Sequence, residues 1–197
     1  MATPTASGLS SGEFDAFIDA IGAHSKARIQ AVTAGHDAPP AYPLPGYLAQ
    51  SQLDQIPGPV QQALDAYCRQ PTDSQLESNV PNVAPAAVRC AGGEMSQDDF
   101  NNLLEQQIVQ NNSQFAQMMD DAMPKLQDLG NQHPDWMNVI LQTYSKFLNF
   151  AAGMWAQVAD YLHKLGQDPR NLLLGIESAF KSFQQQVDSF FFTGLMG

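Results

Sequence analysis

Basic side chains are scarce in this chain. Nine Lys and Arg stand against twenty Asp and Glu, a net charge of −11. Nucleic-acid binding runs on clustered cations that neutralise phosphates, and these nine are scattered, so that partner class is excluded. Anionic membrane surfaces are disfavoured at neutral pH for the same reason. Cysteine is also sparse. Cys68 and Cys90 are the only two, spaced too far apart for CxxC redox chemistry and with too few companions for zinc. They bracket a segment that holds Pro71, Pro81 and Pro85 and shows no helical period, and a disulfide between them would clamp it by about 3 kcal/mol in the chain-entropy model. Two free buried thiols are the alternative, favoured by a reducing compartment.

A secretory leader is missing from the first residues, MATPTASGLSSGEFD, which lack a basic stretch and an apolar run. The expectation is a small, polar, flexible arm over 1–12, and a location either cytoplasmic or reached by export without cleavage. Alternation of the β type is absent, no internal repeat occurs, and no heptad persists long enough for a coiled coil. Nor is there an uncharged apolar run of about twenty residues, the length a bilayer core demands. The longest candidate, between Lys146 and Asp160, holds thirteen residues.

Chemistry-bearing motifs are equally thin. No GxGxxG, phosphate loop, GxSxG or calcium-loop pattern appears. His24, His36, His133 and His163 share no metal-like i, i+4 spacing with one another or with Glu. The pairs Asp98-Asp99 and Asp120-Asp121 point to different sides of a helix, which weakens them as acid/base pairs. A thiol enzyme is the one catalytic option, because Arg69 and Arg89 adjoin the two cysteines and a facing cation lowers a thiol pKa. No catalytic residue, cofactor, metal or small-molecule substrate is inferred.

What the chain does have is helical periodicity. Ser11 is a candidate N-cap for a helix carrying Phe14, Phe17, Ile18 and Ile21, which should stop near Gly35. Prolines 39, 40, 43, 45, 57 and 59 exclude a long helix over 36–59 and leave room for one short turn around Tyr47 to Gln55. Pro59 opens a second helix with Val60, Leu64 and Cys68 inward, followed by the Pro-rich connection to Gly93. From Ser96 onward three long helices are expected, over about 96–129, 134–165 and 169–192, with Pro124 ending or kinking the first. Asp168-Pro169 caps the last. The expected fold is an all-α helical bundle: three long C-terminal helices, two shorter N-terminal ones and a Pro-rich linker. Residues 13–95 form the N-terminal part and 96–197 the bundle core, within one domain.

The middle long helix is apolar over most of its circumference. Its polar or small residues, Asn138, Gln142, Lys146, Asn149, Gly153, Gln157, Asp160 and Lys164, follow one another at steps of three or four and so form one line along the rod. That line reads as a wetted edge. The surplus of large side chains, chiefly Trp136, Phe147, Phe150, Trp155, Phe183, Phe190 and Phe191, then marks an interaction or insertion face. Met118, Met119 and Met123 with Phe115 add a soft apolar surface where, if exposed, a partner helix would dock. Glu94 to Asp135 holds eight acids against Lys125 alone, a local charge of −7; such a run is a solvated face or a docking surface for a basic partner. The functional expectation is a non-enzymatic interaction protein (assembly subunit, adaptor or delivered effector) that meets a protein partner or a copy of itself. The alternative is a membrane-active or pore-forming protein that inserts the 134–192 hairpin. No motif ties the chain to a family.

Overall fold

The computed structural model describes residues 9–37, 39–49 and 56–195, and all regular structure among them is helical, in an all-α bundle. Residues 1–8 of the expected arm, and 50–55 of the expected short turn, lie outside the described residues. Helix α1 is Ser11–Thr33. Its N-cap is Ser10, not Ser11: the Ser10 hydroxyl accepts the Glu13 N–H while the Glu13 carboxylate takes the Ser10 N–H at 3.0 Å, a full capping box. The helix ends at Gly35, with φ +76°. There His36 N–H bonds the Ala31 carbonyl and Gly35 N–H bonds that of Val32, a Schellman closure. The short helix α2 is Gly46–Ala49.

The largest departure from expectation is the connection between the cysteines. Helix α3, Gly58–Leu64, passes through a π turn, Asp65–Arg69, straight into α4, Gln70–Ala91. The Pro-rich linker is therefore a helix. Pro71 sits beside the π turn, where the Gln70 N–H reaches back five residues to Asp65. Pro81 and Pro85 lie on the exposed side of α4, where water replaces the missing N–H groups. The inward positions, Thr72, Gln75, Leu76, Asn79, Val83, Ala86 and Ala87, keep helical spacing. Gly93, φ +79°, closes α4 with a second Schellman motif through Glu94 N–H to Arg89 C=O.

Ser96 caps α5, Gln97–Gln132, by accepting the Asp99 N–H at 3.1 Å. This helix runs on through Pro124, which is exposed and does not end it. A 3-10 turn, Pro134–Trp136, leads into α6, Met137–Gln167. Asp168 caps α7, Pro169–Leu172, and a 3-10 turn, Leu173–Gly175, precedes α8, Ile176–Ser189. The expected last helix is thus broken once. It closes with a second π turn, Phe190–Gly194.

The antiparallel pair α5 and α6 forms the centre. Helix α1 covers both along one side, α4 lies against α5, and α8 against α4. Helix α8 reaches α6 through rings: Tyr161 meets Phe180 and Phe183 at 6.0 and 6.4 Å, and Phe150 stacks on Phe190 at 4.4 Å. One apolar cluster runs from Phe14 to Leu195, so the core is continuous.

Two glycines in the long helices should answer substitution with opposite signs. A Cβ on Gly130 would overlap the ring of Phe14, which is wholly buried, whereas Gly153 is exposed with nothing nearby. Gly153→Ala is expected to raise stability by about 0.5–1 kcal/mol through helix propensity. Gly130→Ala should lower it by about 1–3 kcal/mol, because overpacking outweighs that gain. Urea midpoints of the two variants check the pair.

Candidate functional site

The face where α4 meets α5 is unlike the rest of the core, because it is polar. Asn79 and Asn111, both buried, exchange amides: Nδ2 of Asn111 donates to Oδ1 of Asn79 at 3.0 Å, and the reverse bond is 3.2 Å. Asn79 Nδ2 also donates to the Gln75 carbonyl at 2.8 Å, and Gln75 Nε2 donates to the Asn111 carbonyl at 2.6 Å. Gln107 donates to Asn111 Oδ1 and accepts from Asn82, each at 3.2 Å. Thr72 continues the line, its hydroxyl bonding the Cys68 carbonyl at 2.7 Å and touching Met118 Sδ. Such a satisfied seam fixes the register of α4 on α5, since sliding either helix by one turn would bury unpaired amides.

Alongside the seam the two helices leave a groove of about 850 Å³. One wall is Tyr67, Pro71, Ser74 and Ser78; the other is Gln114, Gln117, Asp121 and Lys125. Each set repeats every three or four residues, so each wall is a single helix edge. The floor is Met118 and the buried end of Gln75. The α5 wall, from 114 to 125, is about 16 Å long, three helical turns. Asp120, at its rim, pairs with Lys26 of α1.

The two cysteines are free, and the expected bridge is corrected. Cys68 and Cys90 lie on one continuous helical rod, 22 positions or about 33 Å apart, far beyond the roughly 7 Å that Cα atoms of a disulfide tolerate. Burial alone pushes the Cys68 thiol far up, away from the thiolate. Arg69 does not face the sulfur: its guanidinium is taken by Asp65, Asp73 and Asp188. Cys90 is half-buried, its S–H 3.8 Å from Gln97 Oε1. His24 meets the Pro40 carbonyl at 2.7 Å, His163 meets Glu105 at 3.1 Å, and His133 stacks on Trp136 at 3.9 Å. No metal-holding group of acids, histidines and cysteines occurs among the described residues.

The polar line of α6 divides in two. Gly153, Gln157, Asp160 and Lys164 are exposed. Asn138, Lys146 and Asn149 are half-covered, Asn149 by Arg28 at 2.6 Å, and Gln142 is buried, donating to the Leu48 carbonyl. Of the expected apolar face, Phe147, Trp155 and Phe183 are buried, while Trp136, Phe150, Phe190 and Phe191 are half-buried. The buried three fill the interior, and Phe150, Phe190 and Phe191 also line surface clefts. No helix among the described residues is long and apolar enough to cross a membrane. Of the methionine patch only Met118 reaches the groove. Phe115 and Met119 are core, and Met123 packs on Gly22 of α1.

Sequence reading missed the α4 wall altogether. The one signal for it was the helical spacing of Thr72, Gln75 and Asn79, residues whose polarity hid the period. Comparison with protein-family models, with curated proteins and with solved structures finds no match.

Proposed function

We propose that the chain is a non-enzymatic interaction protein, an assembly subunit, adaptor or delivered effector, that holds one amphipathic helix of a partner protein in the α4–α5 groove. The observation that carries this reading is the groove itself: three turns long, walled by two helix edges, with Met118 in its floor and a rim of amides and hydroxyls. That is the shape of helix-in-groove recognition. The thioether of Met118 adapts to side chains of different outline.

Charge selects the occupant. Asp98, Asp99, Glu105, Asp120, Asp121 and Asp128 are all exposed on α5. A second copy, itself at −11 overall, is repelled as a whole, whereas a helix bearing Lys or Arg beside its apolar stripe meets complementary potential. Lys125 and the Lys26–Asp120 pair blunt this at one end; Asp121, whose Oδ1 accepts the Gln117 amide at 3.0 Å, is the acid the wall offers. Insertion of the 134–192 hairpin into a bilayer, by contrast, requires the aromatic rings to leave the core.

Fluorescence anisotropy with a labelled Leu/Lys amphipathic peptide of about three turns tests the proposal. Binding in the micromolar range is expected, at least tenfold weaker for a Leu/Glu peptide of the same apolar face. Ser74→Trp and Gln117→Trp, both at exposed wall positions, should each weaken it about tenfold by filling the groove while leaving the melting temperature unchanged. Peptide binding indifferent to both substitutions, or no binding at all, overturns the reading.

A further inference from the structure

The guanidinium of Arg69 is shared by three carboxylates from two sides of the molecule. Arg69 closes the first π turn. Its Nε donates to Asp65 within that turn, and one Nη donates to Asp73 of α4 and to Asp188 of α8, each at 3.2 Å. Asp65 has a second donor, Gln70 Nε2, at 2.7 Å. Asp73 has none: its Oδ1 is buried and unpaired, and it competes with Asp188 for the same nitrogen. Four charged groups thus carry a net −2 where the two π turns approach, beside a cleft of about 670 Å³ lined by Asp65, Arg69, Phe191 and Phe192.

The charged groups facing Asp73 are Arg69 and Asp65 from the π turn, Glu77 from α4 itself and Asp188 from α8. Burial pushes the Asp73 carboxyl up to about 6, with Asp188, Glu77 and Asp65 adding to the rise and Arg69 opposing it. A proton on Asp73 changes both terms at once. It removes one of three mutually repelling charges and turns one carboxylate oxygen into an O–H donor.

We propose that the Arg69 cluster is a proton-loaded clamp, in which uptake of one proton tightens α8 and the C-terminal π turn against α3 and α4, and its loss loosens them. The direction follows from linkage. Asp73 binds its proton more tightly in the folded chain (about 6) than at its ordinary value of 3.8. Its contribution is therefore complete below the ordinary value, grows as pH falls through 6, and is lost as pH rises through 6. Acid in the range 5 to 6 thus holds the C-terminal helix in place, the reverse of an acid-triggered opening.

Amide hydrogen exchange of the full chain at pH 5.0 and 7.5, corrected for intrinsic rates, reads the clamp. Protection of 176–189 is expected to rise about tenfold at the lower pH, with the fast-exchanging α1 amides, which open locally, unmoved. Asp73→Asn should be as protected at pH 7.5 as the wild type at 5.0 and flat between. Glu77→Gln, at an exposed position, should keep the response with a lower midpoint. Carbon-detected NMR titration of the wild-type Asp73 carboxyl gives a check independent of any variant, with a midpoint near 6 expected. A midpoint at the ordinary aspartate value, or α8 protection independent of pH in both wild type and Asp73→Asn, overturns the proposal.

Discussion

Asn111→Ala is expected to cost the fold about 3 kcal/mol, more than truncation of one small side chain would suggest. Its amide serves two partners. Without it the Asn79 Oδ1 loses its donor and the Gln107 Nε2 loses its acceptor, both inside the protein. Each buried group left unpaired costs about 1–3 kcal/mol. Asn79 Nδ2 keeps the Gln75 carbonyl, and Gln107 Oε1 keeps Asn82, which sets the cost toward the lower end of the roughly 2–6 kcal/mol that two such groups imply. The companion result is sharper. Asn79→Leu with Asn111→Leu removes both halves of the exchanged pair, so it should cost well under the sum of the single changes, with a coupling of about 1–3 kcal/mol. Urea unfolding followed by circular dichroism and by tryptophan emission measures the cycle. Additivity to within about 0.5 kcal/mol would show that the two amides do not act as a unit.

The same seam explains where sequence reading stopped. Helices α5, α6 and α8 were legible because their inward positions are apolar: Phe100, Leu104, Ile108 and Phe115 in one, Phe180, Phe183 and Val187 in another. Some helix ends were legible too, since Ser96 before α5, Asp168 before α7 and Gly35 after α1 are residues whose side chain or φ suits a terminus. Helix α4 was not. Three of its seven inward residues are Thr72, Gln75 and Asn79, so hydropathy shows no period, and Pro71, Pro81 and Pro85 read as breakers. A proline breaks a helix when the carbonyl it strands is buried. On the wet side the loss is met by solvent, and beside a π turn by the longer repeat. Nothing in a single sequence says which side is wet.

The polar line of α6 teaches the same limit from the other direction. Its geometry was readable, because residues three and four apart must share a face. What covers that face was not. Gln142 is buried under Leu48, and Asn149 lies under Arg28, partners 94 and 121 positions away. A polar edge implies hydrogen bonding, and water supplies it at Gln157 and Asp160 while protein supplies it at Gln142. The groove was less legible still: Met118 stood in a patch read as a docking surface only if exposed, and walls of Ser and Gln carry no motif.

Trp155 tests whether α6 is the packed rod of the bundle. The indole is 2% exposed in the middle of α6, and its Nε1 is buried without a hydrogen-bond partner. Trp155→Ala should therefore cost about 3–5 kcal/mol, a large share of the 5–15 kcal/mol typical of a domain. Trp155→Phe should cost only about 1 kcal/mol, because the smaller cavity is offset by losing an unpaired N–H. At about 2–4 °C per kcal/mol for a chain of this size, the alanine variant melts roughly 10 °C lower and the phenylalanine variant within a few degrees of wild type. Exposed or loosely seated rings can be truncated at almost no cost, because they bury little. Equal melting temperatures for Trp155→Ala and wild type would show that α6 is not the packed axis of the bundle. The predicted ordering, Phe mild and Ala severe, keeps α6 as the buried axis against which α1, α5 and α8 are assembled.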